Sequence, residues 1–488
     1  MLVFGFIGFL PNGVDQLASL QFEAARAAFN QQDYFPCLRL CGMAESNDPF
    51  ASGPPLLEGH CYYEMGLDTA ALGRYSEALG LNPYAGPLPV FFDDLKRGES
   101  PVERVSLSPD ELNTLCKKIG QMIMVSVPGI QLTGAKKNAI RDGLIGGVIL
   151  FSHNIQSRRQ ISLYVNELQS TSPTPLFIAL DQEGGAVRRL REAQGFQTLP
   201  SQKALGSTQS SQLAYKFGRL SGRQLKEIGA NLNLAPVVDL DHGIDEIISK
   251  YNRSLGANPQ VVSRMAQNII QGMKREGILA TAKHFPTQSL GVENPHQSVS
   301  VAVVELSQLV RSDLIPYEDL IHNQGLDAVM ISHVLYPNID PVYPASLSKE
   351  WIQEILRRQM GYRGLVISDD LRMNAIKQEY PLEDSVVQAV NAGVDVLLVT
   401  DNLERRVMNA LVAGVKGGKI KLSSVNLAYE RIMGTKRKYG IVKLKEAPQI
   451  VKTKPAPAPS HELSEPRLQA SVAGPKSGTP GLIGPDHL

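Results

Sequence analysis

Ionisable side chains directly follow five short apolar runs of this 488-residue sequence. They are Asp181 and Glu183, Asp239 and Asp241, Lys283 and His284, His333, and Asp369 and Asp370. Carboxylates can act as nucleophiles or as acids and bases, and an imidazole titrates near neutral pH. One residue of this kind could equally be a helix cap or a satisfied polar group. Five such positions in one chain predict a functional pocket.

The stretch 278–296 shows the pattern most clearly. An apolar run leads to Lys283 and His284, and Pro286 then ends the run. A further histidine, His296, follows on a segment rich in loop-forming residues. This order is typical of a buried parallel strand that ends at a working face. The alternative for this stretch alone is a strand end with a solvated lysine and two chance histidines.

Eight short apolar runs lie between residues 106 and 442, and amphipathic stretches of helical length separate most of them. The runs cover residues 121–127, 146–151, 176–180, 232–240, 278–282, 328–331, 365–367 and 394–399. The clearest predicted helices cover residues 211–228, 259–276, 348–360 and 403–416. This alternation favours an α/β fold, a (β/α)8 TIM barrel, over an open doubly wound sheet. The C-terminal ends of barrel strands face the active site, so we expect the ionisable residues to meet there.

Residues 1–90 are predicted to form a small all-α module. A fixed offset aligns Phe29 with Tyr63 and Cys37 with Ala71, and it equals the period of about 34 residues that tetratricopeptide repeats have. The second copy carries residues at tetratricopeptide-like spacing, namely Ala71, Tyr75, Ala78 and Pro83. Two copies fall short of the roughly three that a stable array needs, so flanking helices or the next domain must complete the packing. A chance pair of amphipathic hairpins is the alternative.

The remaining segments are predicted to lack a core of their own. Residues 91–105 form the predicted linker between the helical module and the barrel, which covers residues 106–442. Residues 443–488 turn to Pro, Ala, Ser and Lys, as in the run KPAPAP at 454–459. A tail of that composition cannot bury apolar surface and is expected to be disordered.

Composition argues against several classes of protein. A net charge of +1 produces no field for nucleic acid or for an anionic membrane, and no run reaches the roughly 20 apolar residues of a membrane span. The four cysteines show neither zinc-site spacing nor the density of a disulfide scaffold. We therefore expect no metal, no organic cofactor, no nucleic-acid partner and a cytoplasmic location. A truncated signal sequence is the alternative for the apolar residues 1–10.

Five motifs resemble those of glycoside hydrolase family 3. They are DQEGGAVRR at 181–189, APVVD at 235–239, KHFP at 283–286, ISHVLYP at 331–337 and SDDLRM at 368–373. The likeness covers about residues 107–439 and is strongest to the single-barrel β-N-acetylglucosaminidases, or β-hexosaminidases, of that family. It implies the same barrel that the alternation of runs predicts.

The resemblance also implies roles for individual residues. Asp369 matches the family's nucleophile, which forms a glycosyl-enzyme in a retaining reaction. Its neighbour Asp370 is the alternative. The residues that match the family's sugar-binding positions are Asp181, Arg189, Arg253, Lys283 and His284.

The resemblance makes His296 the acid/base residue. The family pattern is KHFPGHG followed by DSH, whereas this chain has the tripeptide TQS at 287–289 in place of GHG and Asn294 in place of the aspartate. An amide can hold an imidazole ring but cannot stabilise an imidazolium as a carboxylate does. Glu293, one residue earlier, is the alternative partner for the histidine.

We therefore predict a retaining glycosidase that removes terminal β-linked N-acetylglucosamine, with cell-wall (peptidoglycan) fragments as the expected substrate. The alternative is a catalytically weak or inactive barrel that binds sugar or peptidoglycan, while the helical module recruits a protein partner. A β-glucosidase-like specificity is a third alternative, less favoured because the sequence shows no second domain of the kind those enzymes use.

Overall fold

The computed structural model describes residues 13–31, 33–49, 51, 53–65, 70–71, 73–74, 77–78, 106–243, 247–291 and 299–442. The predicted linker, the predicted tail and His296 lie outside these residues. The domain boundaries at 90, 106 and 442 therefore stay predictions. No helix in the described ranges combines the length and the apolar character needed to cross a membrane.

Eight strand positions form a closed parallel barrel within residues 106–442. The strands are Ile123–Ser126, Gly147–Ile149, Phe177–Leu180, Leu232–Asn233, Leu279–Ala280 continued by Ala282–Phe285, Ala328–Ile331, Leu365–Ser368 and Leu397–Val399. The first strand pairs with the eighth, with Ile123 opposite Leu397. A bridge between Ile367 and Val396 joins the seventh strand to the start of the eighth and completes the ring. The predicted barrel of the α/β class is confirmed.

Helices surround the strands, and their starting points follow from local sequence. The helices of the barrel are Pro109–Met122, Gly134–Arg141, Arg158–Thr171, Gln202–Ser207, Ser211–Glu227, Pro259–Arg275, Leu306–Val310, Ile315–Gln324, Glu350–Gln359, Asn374–Lys377, Leu382–Ala392, Glu404–Lys416 and Leu422–Lys438. The first begins with a capping box, in which Ser108 accepts from the Glu111 amide and Glu111 reaches back to the Ser108 amide. The four helices predicted from sequence are present, with ends shifted by at most two residues.

Two strands differ from the predicted runs. Regular pairing of the fourth strand covers only Leu232–Asn233, because Pro236 has no amide hydrogen to contribute to a ladder. The fifth strand continues to Phe285, so Lys283 and His284 lie within it rather than beyond its end. Both side chains are buried. Burial of these two polar groups requires partners, and those partners form the site described below.

The helical module is present as Gly13–Asn30, Tyr34–Asn47 and Gly53–Glu64, with further helical residues at 70–71, 73–74 and 77–78. Its tetratricopeptide-like character stays a prediction, since Tyr75 and Pro83 lie outside the described residues. The module packs on the barrel helix Leu306–Val310. The buried Tyr62 hydroxyl accepts a hydrogen bond of 3.0 Å from the Ser307 amide. An amide in the first turn of a helix has no partner within that helix, so this tyrosine satisfies a group that the barrel alone leaves open.

Replacement of Tyr62 by phenylalanine tests this contact. Tyr62→Phe leaves the buried Ser307 amide without an acceptor, and we expect a loss of about 1–3 kcal/mol in the free energy of unfolding. Urea unfolding of the full chain measures the loss. Tyr251→Phe is the matched control, because that ring is half exposed. Equal stabilities of the two variants would show that the hydrogen bond from the Ser307 amide to Tyr62 does not stabilise the protein.

Candidate functional site

A cavity of about 470 Å³ opens at the C-terminal ends of the barrel strands. Six of the predicted site residues line it, namely Asp181, Arg189, Arg253, Lys283, His284 and Asp369. The seventh, His296, lies outside the described residues. The structure thus brings together residues from the third, fourth, fifth and seventh strands and from the loops that follow them.

Lys283 lies at the centre of a buried charge cluster. Its Nζ is 2.8 Å from Asp181 Oδ1 and 2.7 Å from Glu183 Oε1. Arg189 Nη2 donates to the second oxygen of Asp181 at 2.9 Å. Arg253 binds Glu183 through two parallel hydrogen bonds of 2.8 and 2.9 Å. Three cations share two carboxylates, so each charged group has a partner of opposite sign.

The cluster fixes the ionisation of its members. Burial opposes the charge of Glu183, but the charges of Arg253 and Lys283 outweigh burial and lower the pKa of Glu183 to about 2. For Asp181, burial again opposes the charge, and Lys283 with Arg189 holds its pKa well below the usual range. The two carboxylates in turn raise the pKa of Lys283 against the effect of burial. The cavity wall therefore presents fixed charged donors and acceptors, which suit the hydroxyl groups of a sugar.

His284 is oriented by Asp239. The imidazole Nδ1 and the backbone amide of His284 lie 2.7 and 3.1 Å from Asp239 Oδ2. The other carboxylate oxygen accepts from the Thr287 hydroxyl and from the Gln288 amide. Burial opposes the charge of Asp239, yet the pKa of Asp239 is lowered, chiefly by His284. Because Nδ1 faces a carboxylate, it carries a proton, and Nε2 is the ring atom that faces Arg253 at 3.5 Å.

Asp369 and Asp370 follow the seventh strand and differ in their hydrogen bonds. The Asp370 carboxylate accepts from the Thr400 hydroxyl at 2.7 Å and from the Thr400 and Arg372 amides. The Asp369 carboxylate accepts a bond from the Asp370 amide at 2.8 Å, and no side chain of the described residues bonds to it. Strand alternation predicts that Asp370 turns away from the cavity. The strand ends at Ser368, however, and both aspartates line the cavity.

His333 supports the turn that carries the two aspartates. Its Nε2 lies 3.0 Å from the Asp370 carbonyl oxygen, and its Nδ1 lies 2.7 Å from the Ser346 hydroxyl. A carbonyl oxygen can only accept, so Nε2 carries the hydrogen and Nδ1 accepts from Ser346. Burial lowers the pKa of His333, which favours this neutral form. The backbone of Asp370 is therefore held at its amide by Asp369 and at its carbonyl by His333.

Sequence reasoning assigned no role to several residues that shape the site. Glu183, Asp239 and His333 stand at strand ends, but only the structure shows that they hold Arg253, His284 and the Asp370 carbonyl. Phe151 was recognised only as the end of the second run, and the Arg189 guanidinium lies over its ring at 5.3 Å. The signal for the first three was their position after an apolar run. No sequence signal identifies a cation–ring contact between residues so far apart.

The described residues contain no group of three or more His, Cys, Asp or Glu side chains arranged to hold a metal ion. The ionisable groups around Lys283 instead bind one another as acid–base pairs. What the arrangement offers chemically is a carboxylate with an uncommitted oxygen, facing a wall of paired charges.

A closed (β/α)8 barrel with ionisable residues gathered in a cavity at the C-terminal ends of its strands is the architecture of a barrel enzyme. Residues 114–435 match the model of the glycosyl hydrolase family 3 N-terminal domain. The chain belongs to glycosyl hydrolase family 3. The predicted family resemblance is confirmed.

Individual relatives are similar over the barrel. The β-hexosaminidase of Bordetella avium strain 197N is 37% identical over 283 residues, which cover 57% of this chain and 79% of the relative. Among solved structures, a family 3 β-N-acetylglucosaminidase from Paenibacillus sp. str. FPU-7 is 32% identical with a TM-score of 0.65, and the match covers 69% of this chain and 66% of the other. NagZ from Neisseria gonorrhoeae, solved in complex with N-trifluoroacetyl-D-glucosamine, is 29% identical with a TM-score of 0.54. The match covers 66% of this chain and 94% of the other.

The two aspartates are distinguished by substitution. Asp369→Asn removes the uncommitted carboxylate, and we expect kcat to fall by more than about 10³-fold, as when a nucleophile is lost. Asp370→Asn keeps one acceptor oxygen for the Arg372 and Thr400 amides, so we expect a largely preserved turn and a fall in kcat of no more than about 100-fold. Steady-state kinetics and covalent labelling with a fluorosugar measure both. A label on Asp370, or a product of inverted configuration, would contradict the assignment.

The charge cluster makes stability depend on pH in a defined window. The pKa of Glu183 falls from an ordinary 4.5 to about 2 on folding, so its contribution is present above about pH 5 and is lost as pH falls toward 2. Asp181 acts in the same direction. The free energy of unfolding, measured by urea at pH 7, 5, 4 and 3, should decrease below pH 5. Glu183→Gln should be less stable at pH 7 and show a shallower decrease, whereas the exposed Glu430→Gln should follow the unsubstituted protein.

Proposed function

We propose that the protein is a retaining glycosidase that removes terminal β-linked N-acetylglucosamine. The observation that carries the proposal is the uncommitted carboxylate oxygen of Asp369, which faces the cavity opposite the charge cluster around Lys283. Support comes from the relatives, which are named β-hexosaminidases and β-N-acetylglucosaminidases. The family membership and the site geometry favour the same chemistry.

The reaction assigns one step to each group. Asp369 attacks the anomeric carbon while a proton is delivered to the leaving oxygen, which gives a glycosyl-enzyme and a free aglycone. Water then attacks the anomeric carbon as its proton is withdrawn, and the Asp369 carboxylate is released with the configuration retained. We assign the proton transfer in both steps to His296, and the binding of the sugar hydroxyls to Asp181, Arg189, Lys283, Arg253 and His284. The reaction requires no metal or organic cofactor.

Cell-wall fragments are the proposed source of the substrate. Arg372 and Lys377 line the cavity on the segment that follows Asp369. Arg372 is paired with Asp401 at 3.4 Å, whereas Lys377 is exposed and has no ion pair among the described residues. Lys377 would therefore favour an aglycone that carries carboxylates, as peptidoglycan fragments do. A cytoplasmic location and a protein partner for the helical module remain predictions from the sequence.

A barrel that binds sugar without hydrolysing it is the second candidate. The observation that favours it is Asn294, which stands where the family has the carboxylate partner of the acid/base histidine. A neutral amide stabilises an imidazolium less than a carboxylate does. In that reading the charge cluster retains its sugar-binding role while turnover is lost.

Release of a chromophore from aryl N-acetyl-β-glucosaminides tests the proposal. We expect turnover of the N-acetylglucosaminide and at least about tenfold lower kcat/KM for the aryl glucoside, which lacks the acetamido group. His296→Ala should lower kcat most on substrates with poor leaving groups, since these depend most on protonation. Binding of N-acetylglucosamine without turnover of any aryl substrate would support the non-hydrolytic candidate. A preference for the glucoside would favour the β-glucosidase-like specificity.

A further inference from the structure

The segment 287–289 departs from the family pattern, yet the structure fixes it firmly. Asp239 Oδ1 accepts two hydrogen bonds from this segment. The Thr287 hydroxyl donates at 3.2 Å, and the backbone amide of Gln288 donates at 2.7 Å. The Tyr336 hydroxyl donates to the Thr287 carbonyl. The Gly291 amide donates to the Gln288 carbonyl at 3.2 Å. Residues 287–289 are buried, so this segment is a rigid part of the cavity wall.

The side chain of Gln288 has an unmatched acceptor. The residue is 7% exposed and lines the cavity. Its Oε1 is buried and has no hydrogen-bond partner among the described residues. A buried polar atom without a partner costs free energy comparable to a lost hydrogen bond, so such atoms are rare in folded proteins. Because the residue lines the cavity, a ligand bound there can supply the missing partner.

The surroundings limit which partner Gln288 can take. The backbone bonds to Asp239 and Gly291 hold the residue in place, and the neighbouring cations Lys283 and Arg253 are engaged by Asp181 and Glu183. An amide oxygen accepts and cannot donate. The partner must therefore carry a donor, such as a sugar hydroxyl or an amide N–H.

We propose that Gln288 is a substrate-binding residue whose side-chain oxygen accepts a hydrogen bond from the terminal sugar. The inference rests on the proposed function, because the terminal sugar is the ligand. A hydroxyl and the acetamido N–H are both donors of the required kind. The tripeptide that replaces the family's GHG thus contributes a binding contact of its own, held in position by Asp239.

Substitution of Gln288 tests the contact. Gln288→Met keeps the length and removes the acceptor, and we expect kcat/KM on the aryl N-acetylglucosaminide to fall at least about tenfold. Gln288→Glu keeps an acceptor and should retain more activity than Gln288→Met. The exposed Gln212→Met is the matched control and should match the unsubstituted enzyme. Unchanged kcat/KM and KM in Gln288→Met would overturn the proposal.

The donor is identified by a set of double-mutant cycles. The unsubstituted enzyme and Gln288→Met are compared on a series of monodeoxy glycosides and on the aryl glucoside that lacks the acetamido group. The substrate that has lost the bonding donor should show no further loss in Gln288→Met, because the pairwise interaction is already absent. Additive losses with every substrate would contradict a direct contact.

A binding measurement separates this inference from the proposed hydrolysis. Calorimetry gives the Kd of N-acetylglucosamine for the full chain and for each variant, with no need for turnover. If the protein hydrolyses none of the substrates, the proposed function is wrong. A Kd that is raised at least about fivefold in Gln288→Met would still support the contact in that case. If hydrolysis proceeds and Gln288→Met changes neither Kd nor kcat/KM, the contact fails and the proposed function stands. Thermal unfolding of Gln288→Met checks that the variant remains folded.

Discussion

The buried ammonium group of Lys283, held between Asp181 and Glu183, is the interaction on which the rest of the site depends. An ion removed from water is stable only when its partners and hydrogen bonds compensate for the lost hydration. Here compensation comes from two carboxylates, and each of these is shared with an arginine. Removal of one member would leave an uncompensated charge in the barrel, at a cost of about 3–5 kcal/mol. The same cluster therefore holds the barrel end in one arrangement and presents charged donors and acceptors to the cavity.

Asp239 has a comparable organising role on the neighbouring strand position. Its carboxylate accepts from the His284 ring and amide, from the Thr287 hydroxyl and from the Gln288 amide. One buried charge thus determines the ring orientation of His284 and the path of the chain beyond the fifth strand. Loss of the glycines that the family has at 287 and 289 is compatible with this path, because Thr287 supplies a hydrogen bond that a glycine cannot make.

The seventh strand separates two functions between adjacent aspartates. Asp370 uses its carboxylate, amide and carbonyl to hold a turn against Thr400, Asp369 and His333. Asp369 keeps one oxygen uncommitted, as a nucleophile requires. Two identical side chains therefore differ in role because only one of them is consumed by the structure. The helical module lies on a different part of the barrel, against the helix Leu306–Val310, where Tyr62 completes a helix end.

The sequence by itself determined the barrel and the ionisable residues that converge at one end of it. Eight apolar runs separated by helical stretches specify the alternation of strands and helices, and strand ends in a parallel barrel must converge at one face. That rule was sufficient to bring Asp181, Lys283 and Asp369 into one site. Local periodicity carries this information, so it can be read from the chain without knowledge of distant contacts.

Only the tertiary structure decided how these residues are paired. Glu183 and Arg253 are far apart in sequence, and nothing local to either predicts the two hydrogen bonds between them. Comparison with the family pattern shows only that the tripeptide at 287–289 lacks the two glycines. In the fold, the tripeptide is a buried segment bound to Asp239. Strand alternation also failed for Asp370, because the strand ends at Ser368, two residues before it. Pairing depends on which side chains the closed barrel brings within hydrogen-bonding distance. Distances between residues that are far apart in the chain cannot be derived from local sequence patterns.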